Sequence, residues 1–193
     1  MPRVLLIHPG ATDYDDQRRI QGTLDVPLNE RGSAEVAKLI EELRHTQIDA
    51  IYASPAQAAM QTAESLAAAF NLKVKKLEGM ENVSLGLWQG MLVEEVRLKQ
   101  PKVYRQWQEN PECICPPEGE MLVQAEERVR NQMSRLLKRC KEGTIALVVP
   151  EPLASLVRQF LNQSELGDLW KAADEHGRWE MIEVEPTALA SSD

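Results

Sequence analysis

Apolar residues follow two different rhythms along this chain. Val4-Leu5-Leu6-Ile7 is a short unbroken apolar run closed by Pro9-Gly10. Too short for a helix and bounded by turn residues, it predicts a strand buried on both faces. The runs Ile48 to Ala53, closed by Ser54-Pro55, and Thr144 to Val149 repeat the signature. Elsewhere the spacing turns helical. Val36, Leu39, Ile40 and Leu43 fall on one helical face behind Asn29, which predicts a helix from Asn29-Glu30 to about His45. The alanine-rich segment Ala56 to Phe70 predicts a helix packed closely on a sheet. A long amphipathic helix is expected from Gly119 to Lys141, with Leu122, Ala125, Val129, Met133, Leu136 and Leu137 on its apolar face. Short helices are expected at Met91 to Lys99 and Val103 to Glu109, split by Pro101, and another helix at Pro152 to Leu161. Leu72 to Leu77 and Trp179 to Val184 alternate, so they read as weaker strands, the second at a sheet edge. Residues 11–28 read as a long polar loop and Cys113 to Pro117 as another.

Strands alternating with helices imply an α/β three-layer sandwich: a mainly parallel central sheet of about five or six strands with helices on both faces. No repeat or linker divides the chain, so residues 1–185 read as a single domain and 186–193 as a disordered tail. In such sheets, binding sites gather beyond the C-terminal ends of the strands. The junctions after Ile7, Ala53 and Val149 are therefore the places to look.

Charge and composition narrow the function classes. A net charge of −8 and a pI of about 5.1 argue against non-specific nucleic-acid binding, which needs a basic face. The three histidines (His8, His45, His176) are scattered, and Cys113, Cys115 and Cys140 lack zinc-type spacing. No metal and no cofactor are expected. The odd cysteine count suggests reduced thiols in a cytoplasmic protein. No stretch approaches the ~18 apolar residues of a membrane span, so no membrane partner is expected.

Ordered blocks carry the candidate chemistry. They read Arg19-Ile20-Gln21-Gly22, then Asp25-Val26-Pro27-Leu28 with Glu30-x-Gly32, then Ser54-Pro55-Ala56-Gln57-Ala58-Ala59-Met60-Gln61-Thr62-Ala63. Gly86-Leu87-Trp88-Gln89-Gly90 and Pro116-Pro117-Glu118-Gly119-Glu120 follow. In this order, over about residues 4–160, they resemble the histidine phosphatase superfamily, the phosphoglycerate-mutase-like proteins. The resemblance implies that fold and a cleft in which a neutral histidine attacks phosphorus. Two arginines and a second histidine would hold the phosphoryl oxygens, and a carboxylate would protonate the leaving group.

On a register without gaps, each of those reactive positions is changed. His8 stands at the first arginine and Pro9 at the nucleophile, followed by Gly10. Ala58 takes the second arginine, Asn82 the acid, and Glu151 the second histidine. A rival register with one inserted residue would make His8 the nucleophile, at the cost of the spacing to Arg19. The expected reading is thus a catalytically inactive relative with a binding or regulatory role toward an unknown small molecule or protein. The alternative is a phosphomonoester phosphatase or mutase-like enzyme using His8 with Glu151. The vestigial pocket is expected to comprise His8, Pro9, Gly10, Thr12, Asp15, Arg19, Gln21, Gly22, Ala58, Asn82 and Glu151. Within it, His8 and Glu151 are expected to pair by a charge-assisted hydrogen bond.

Overall fold

The computed structural model describes residues 1–184. The segment 186–193 expected to be a tail lies outside the described residues. Strands are β1 (Arg3–Ile7), β2 (Ala50–Ala53), β3 (Val74–Lys76), β4 (Thr144–Val148) and β5 (Trp179–Glu183). Helices are α1 (Asp13–Asp16), α2 (Glu30–Leu43), α3 (Gln57–Phe70), α4 (Val93–Lys99), α5 (Pro101–Glu109), α6 (Leu122–Arg139), α7 (Leu153–Asn162) and α8 (Leu169–Ala172).

The strands form one sheet in the order β3-β2-β4-β1-β5. The first four run parallel, and β5 pairs antiparallel to β1 along the edge. Successive side chains on a strand point to opposite faces, and the core is divided accordingly. Val4 and Leu6 of β1 and Ile145 and Leu147 of β4 join the core under α6 and α7. Leu5, Ile7, Ala146 and Val148 join the core under α2 and α3. Small residues Ala59, Ala63 and Ala67 bring α3 close to the sheet, as the alanine content predicts. Burial on both faces explains why β1 and β4 read as unbroken apolar runs.

The chain crosses from β1 through α2 to β2, skipping the place that β4 later fills. The C-terminal ends of β1, β2 and β4 therefore open side by side at one edge of the sheet. Two expectations need correction. The polar loop 11–28 contains one turn of helix, α1, because Thr12 and Asp15 satisfy each other's backbone N–H groups in a capping box. Pro101 separates α4 from α5 as expected, but α5 starts at the proline itself rather than at Val103, since proline suits the first helical turn. No described helix is long and apolar enough to cross a membrane.

Candidate functional site

A cleft opens beyond the ends of β1, β2 and β4. Its lining includes Pro9, Gly10, Thr12, Asp15, Arg19, Gln21, Gly22, Ala58, Asn82 and Glu151. The remaining expected residue, His8, is not among the lining residues. It is 2% exposed and turns toward a separate cavity with Arg158, Glu175 and Arg178. The reason is local. The His8 backbone N–H donates to the Arg178 carbonyl, which continues the β1–β5 ladder and fixes the face on which the ring emerges.

His8 and Glu151 meet. Nε2 of His8 lies 2.8 Å from Oε1 of Glu151, whose side chain is 4% exposed. A carboxylate only accepts, so Nε2 carries the hydrogen. The second Glu151 oxygen accepts from the Ser155 hydroxyl at 2.7 Å and the Ser155 backbone N–H at 3.2 Å. Three donors thus surround this buried carboxylate. Nδ1 of His8 is buried without a hydrogen-bond partner among the described residues. Glu175 lies behind the pair, 3.7 Å from Nε2 of His8 and 3.6 Å from Arg158. Burial pulls the Arg158 guanidinium down. The hydrogen bond and charge of Glu180, with the charges of Glu151 and Glu175, outweigh it and hold Arg158 above the usual arginine range. His8, Glu151 and Glu175 bring ligand-type atoms within 4.8 Å of one another, a set that sequence spacing does not reveal. The guanidinium of Arg158 beside Glu175 places a positive charge against any cation there.

Asn82 is buried and fully engaged. Its amide nitrogen donates to the carbonyls of Gly22 and Glu151, each at 2.9 Å. Its oxygen accepts from the N–H groups of Val83 and Leu153. It braces three chain segments and has no capacity left for proton transfer. Arg19, which lines the cleft, is partly committed. It donates to the Gly90 carbonyl at 2.7 Å and to Gln17 at 2.8 Å. Asp15 accepts from the Thr12 backbone N–H at 2.6 Å and the Thr12 hydroxyl at 2.9 Å. Ala58 is buried and brings only a methyl group. Among the described residues lining the cleft, the carboxylates Asp15, Glu151 and Glu175 face one guanidinium, Arg19.

The other wall was not foreseen. Leu169, Trp170 and Ala173, with Glu175 and His176 just beyond, also line the cleft. Trp170 stacks on Tyr104 at 4.9 Å and stands at 57° to Trp107, which also lines the cleft. The signal available was Asp168, whose side chain caps Trp170 and Lys171 and so starts α8. The helix has four residues, too few for periodicity to show.

The comparisons with known proteins agree with this fold. Among curated proteins, phosphoserine phosphatase 1 of Hydrogenobacter thermophilus is 31% identical over 186 residues, covering 96% of this chain and 88% of that protein. A bifunctional protein of Mycobacterium tuberculosis is 32% identical over 163 residues, and this chain spans 44% of its length. A solved mycobacterial glucosyl-3-phosphoglycerate phosphatase in complex with VO3 superposes with a TM-score of 0.84 at 25% identity, covering 94% of this chain and 92% of that one. A family model matches residues 4–190, and the chain belongs to the histidine phosphatase superfamily (branch 1).

Proposed function

We propose that this chain is a non-catalytic member of its superfamily, a binding or regulatory protein that keeps the cleft without phosphoryl transfer. The observation that carries the reading is Pro9 at the floor of the cleft, at the position that the ungapped register assigns to the nucleophile. A proline side chain has no lone pair with which to attack phosphorus. The loop around it is tightly held. The Gly10 N–H donates to the Thr62 hydroxyl, the Ala11 N–H donates to Glu35, and a Cβ on Gly10 would stand 2.4 Å from the Gly32 carbonyl oxygen.

Electrostatics supports the same reading. Phosphoryl transfer needs preorganised donors and positive charge around the three equatorial oxygens. Here Ala58 supplies none, Arg19 gives two of its five N–H donors to Gly90 and Gln17, and Glu151 sets a buried negative charge where the family resemblance expects a histidine. A phosphate dianion beside it would meet like charge in a poorly solvated cleft.

The names of the relatives favour a second reading, a phosphatase that uses His8, because several are named as phosphatases. That reading needs the His8 ring to leave Glu151 and swing into the cleft. The assay that separates the two measures hydrolysis of a panel of phosphomonoesters, phosphoserine and 3-phosphoglycerate included, from pH 5 to 8. Wild type and His8→Ala are compared side by side. No turnover above the variant's background is expected. Turnover that disappears in His8→Ala would establish the phosphatase reading instead.

A further inference from the structure

The cleft's walls specify a ligand class, an inference that rests on the non-catalytic reading. We infer that the cleft receives a protonated amine carried on a flat apolar body. One part of the lining is apolar and aromatic: Ile20, Leu85, Val93 and Leu169, with Trp107 and Trp170 at 57° to each other. Tyr104, stacked at 4.9 Å, and the Trp170 indole N–H, which donates to the Tyr104 carbonyl at 3.0 Å, hold Trp170 in place. A rigid indole offers a broad contact surface and attracts cations through its ring face.

The polar part of the lining is acidic. Asp15 has no cation within ion-pair distance among the described residues, and its hydrogen bonds from Thr12 go to one oxygen, Oδ2. The Glu175 side chain is 35% exposed and lines the same cleft. Glu151 adds charge from the floor and is hydrogen-bonded to Ser155 and to Nε2 of His8. Arg158 offsets part of it from behind but is shared with Glu180 and Glu175. His176 is occupied by Glu35 at 2.9 Å. An ammonium group therefore finds Oδ1 of Asp15 unmatched among the described residues, in a cleft with an aromatic wall, whereas an anion finds carboxylates and one partly engaged guanidinium.

Three probes with one shared body test this: phenethylamine, phenethyl alcohol and phenethyl phosphate, titrated into the full chain and followed by Trp fluorescence and NMR line shifts at pH 7. The amine is expected to bind at least about tenfold more tightly than the alcohol, with the phosphate weakest. Asp15→Asn, which keeps a capping side chain, and Glu175→Gln are each expected to remove most of that preference while the alcohol's affinity stays. Equal binding of amine and alcohol, a preference untouched by both variants, or binding of none of the three overturns the inference and leaves the non-catalytic reading in place. Hydrolysis of phenethyl phosphate overturns that reading as well.

Discussion

The loop from Thr12 to Leu28 and the turn from Val149 to Ser155 face each other across one cleft, yet they have kept different things. The loop retains its family pattern, and its conserved-looking side chains hold backbone. Arg19 bonds the Gly90 carbonyl, Asp25 accepts from the Gln57 N–H, and the Leu28 N–H donates to Gln61. Gly22 sits at φ +56°, where a Cβ would strike the Gln89 side chain, and Gln89 in turn accepts from Thr23 and Leu85. The opposite turn departs from the pattern at Pro150, Glu151 and Pro152, and the carboxylate found there is buried and saturated with donors. On the non-catalytic reading proposed above, residues that frame the cleft are kept and those that would touch a phosphoryl group are not. Asn82 spans the two, linking Gly22 to Glu151 through its amide. That reading needs chemistry to be separable from fold, and the division allows it, because the two tasks reside in different side chains.

The comparison breaks first at the frame. Gly10→Ala places a methyl group 2.4 Å from the Gly32 carbonyl oxygen, which leaves no rotamer to escape into. A loss of about 3 kcal/mol or more is expected, read by urea denaturation, with failure to fold at the extreme. Retained stability would mean that the frame is looser than described. Next comes the brace. Asn82→Ala strands buried carbonyl and N–H groups on both sides of the cleft and should cost roughly 2–4 kcal/mol in the same measurement. Amide exchange should then quicken at Gly22 and Leu153 together; a change on one side alone would argue against a shared brace.

The smaller effects sharpen the contrast. Glu151→Gln keeps the shape but removes the charge on which His8 and Ser155 converge. An expected loss of about 1–2 kcal/mol reports a charge-assisted pair rather than a working catalytic group. Far from the cleft, burial and a contact with the Cys140 thiol push the Tyr52 hydroxyl up to about 12. The folded state therefore holds that proton after the unfolded chain has released it, near pH 10. Stability from Tyr52 is full below about pH 10 and falls as pH rises toward about 12. Over that window Tyr52→Phe should flatten the decline, measured by denaturant midpoints at pH 9 and pH 11. An unchanged slope would remove Tyr52 from the account.

Much of this frame was legible in the sequence. Double-faced burial wrote β1 and β4 as apolar runs, and the six apolar positions of α6 from Leu122 to Leu137 are its buried face. The replacements at Pro9, Ala58 and Asn82 rest on motif positions in the ungapped register and belong to the proposed reading. Two things were not legible. The direction of the His8 ring depends on the Arg178 carbonyl, far along the chain, so no local pattern shows that it turns from the cleft. The wall built by α8 is four residues long and gains its place from the stacking of Trp170 on Tyr104. Both depend on long-range contacts that hydrophobic periodicity does not record.

The central claim is that the frame has survived while the phosphoryl site has not. Vanadate, a mimic of the phosphoryl-transfer transition state, tests it most directly by calorimetric titration of the full chain at pH 7. The account predicts no saturable binding below millimolar concentration, in wild type and His8→Ala alike. Micromolar binding in wild type that His8→Ala abolishes would contradict it and restore His8 to the reaction.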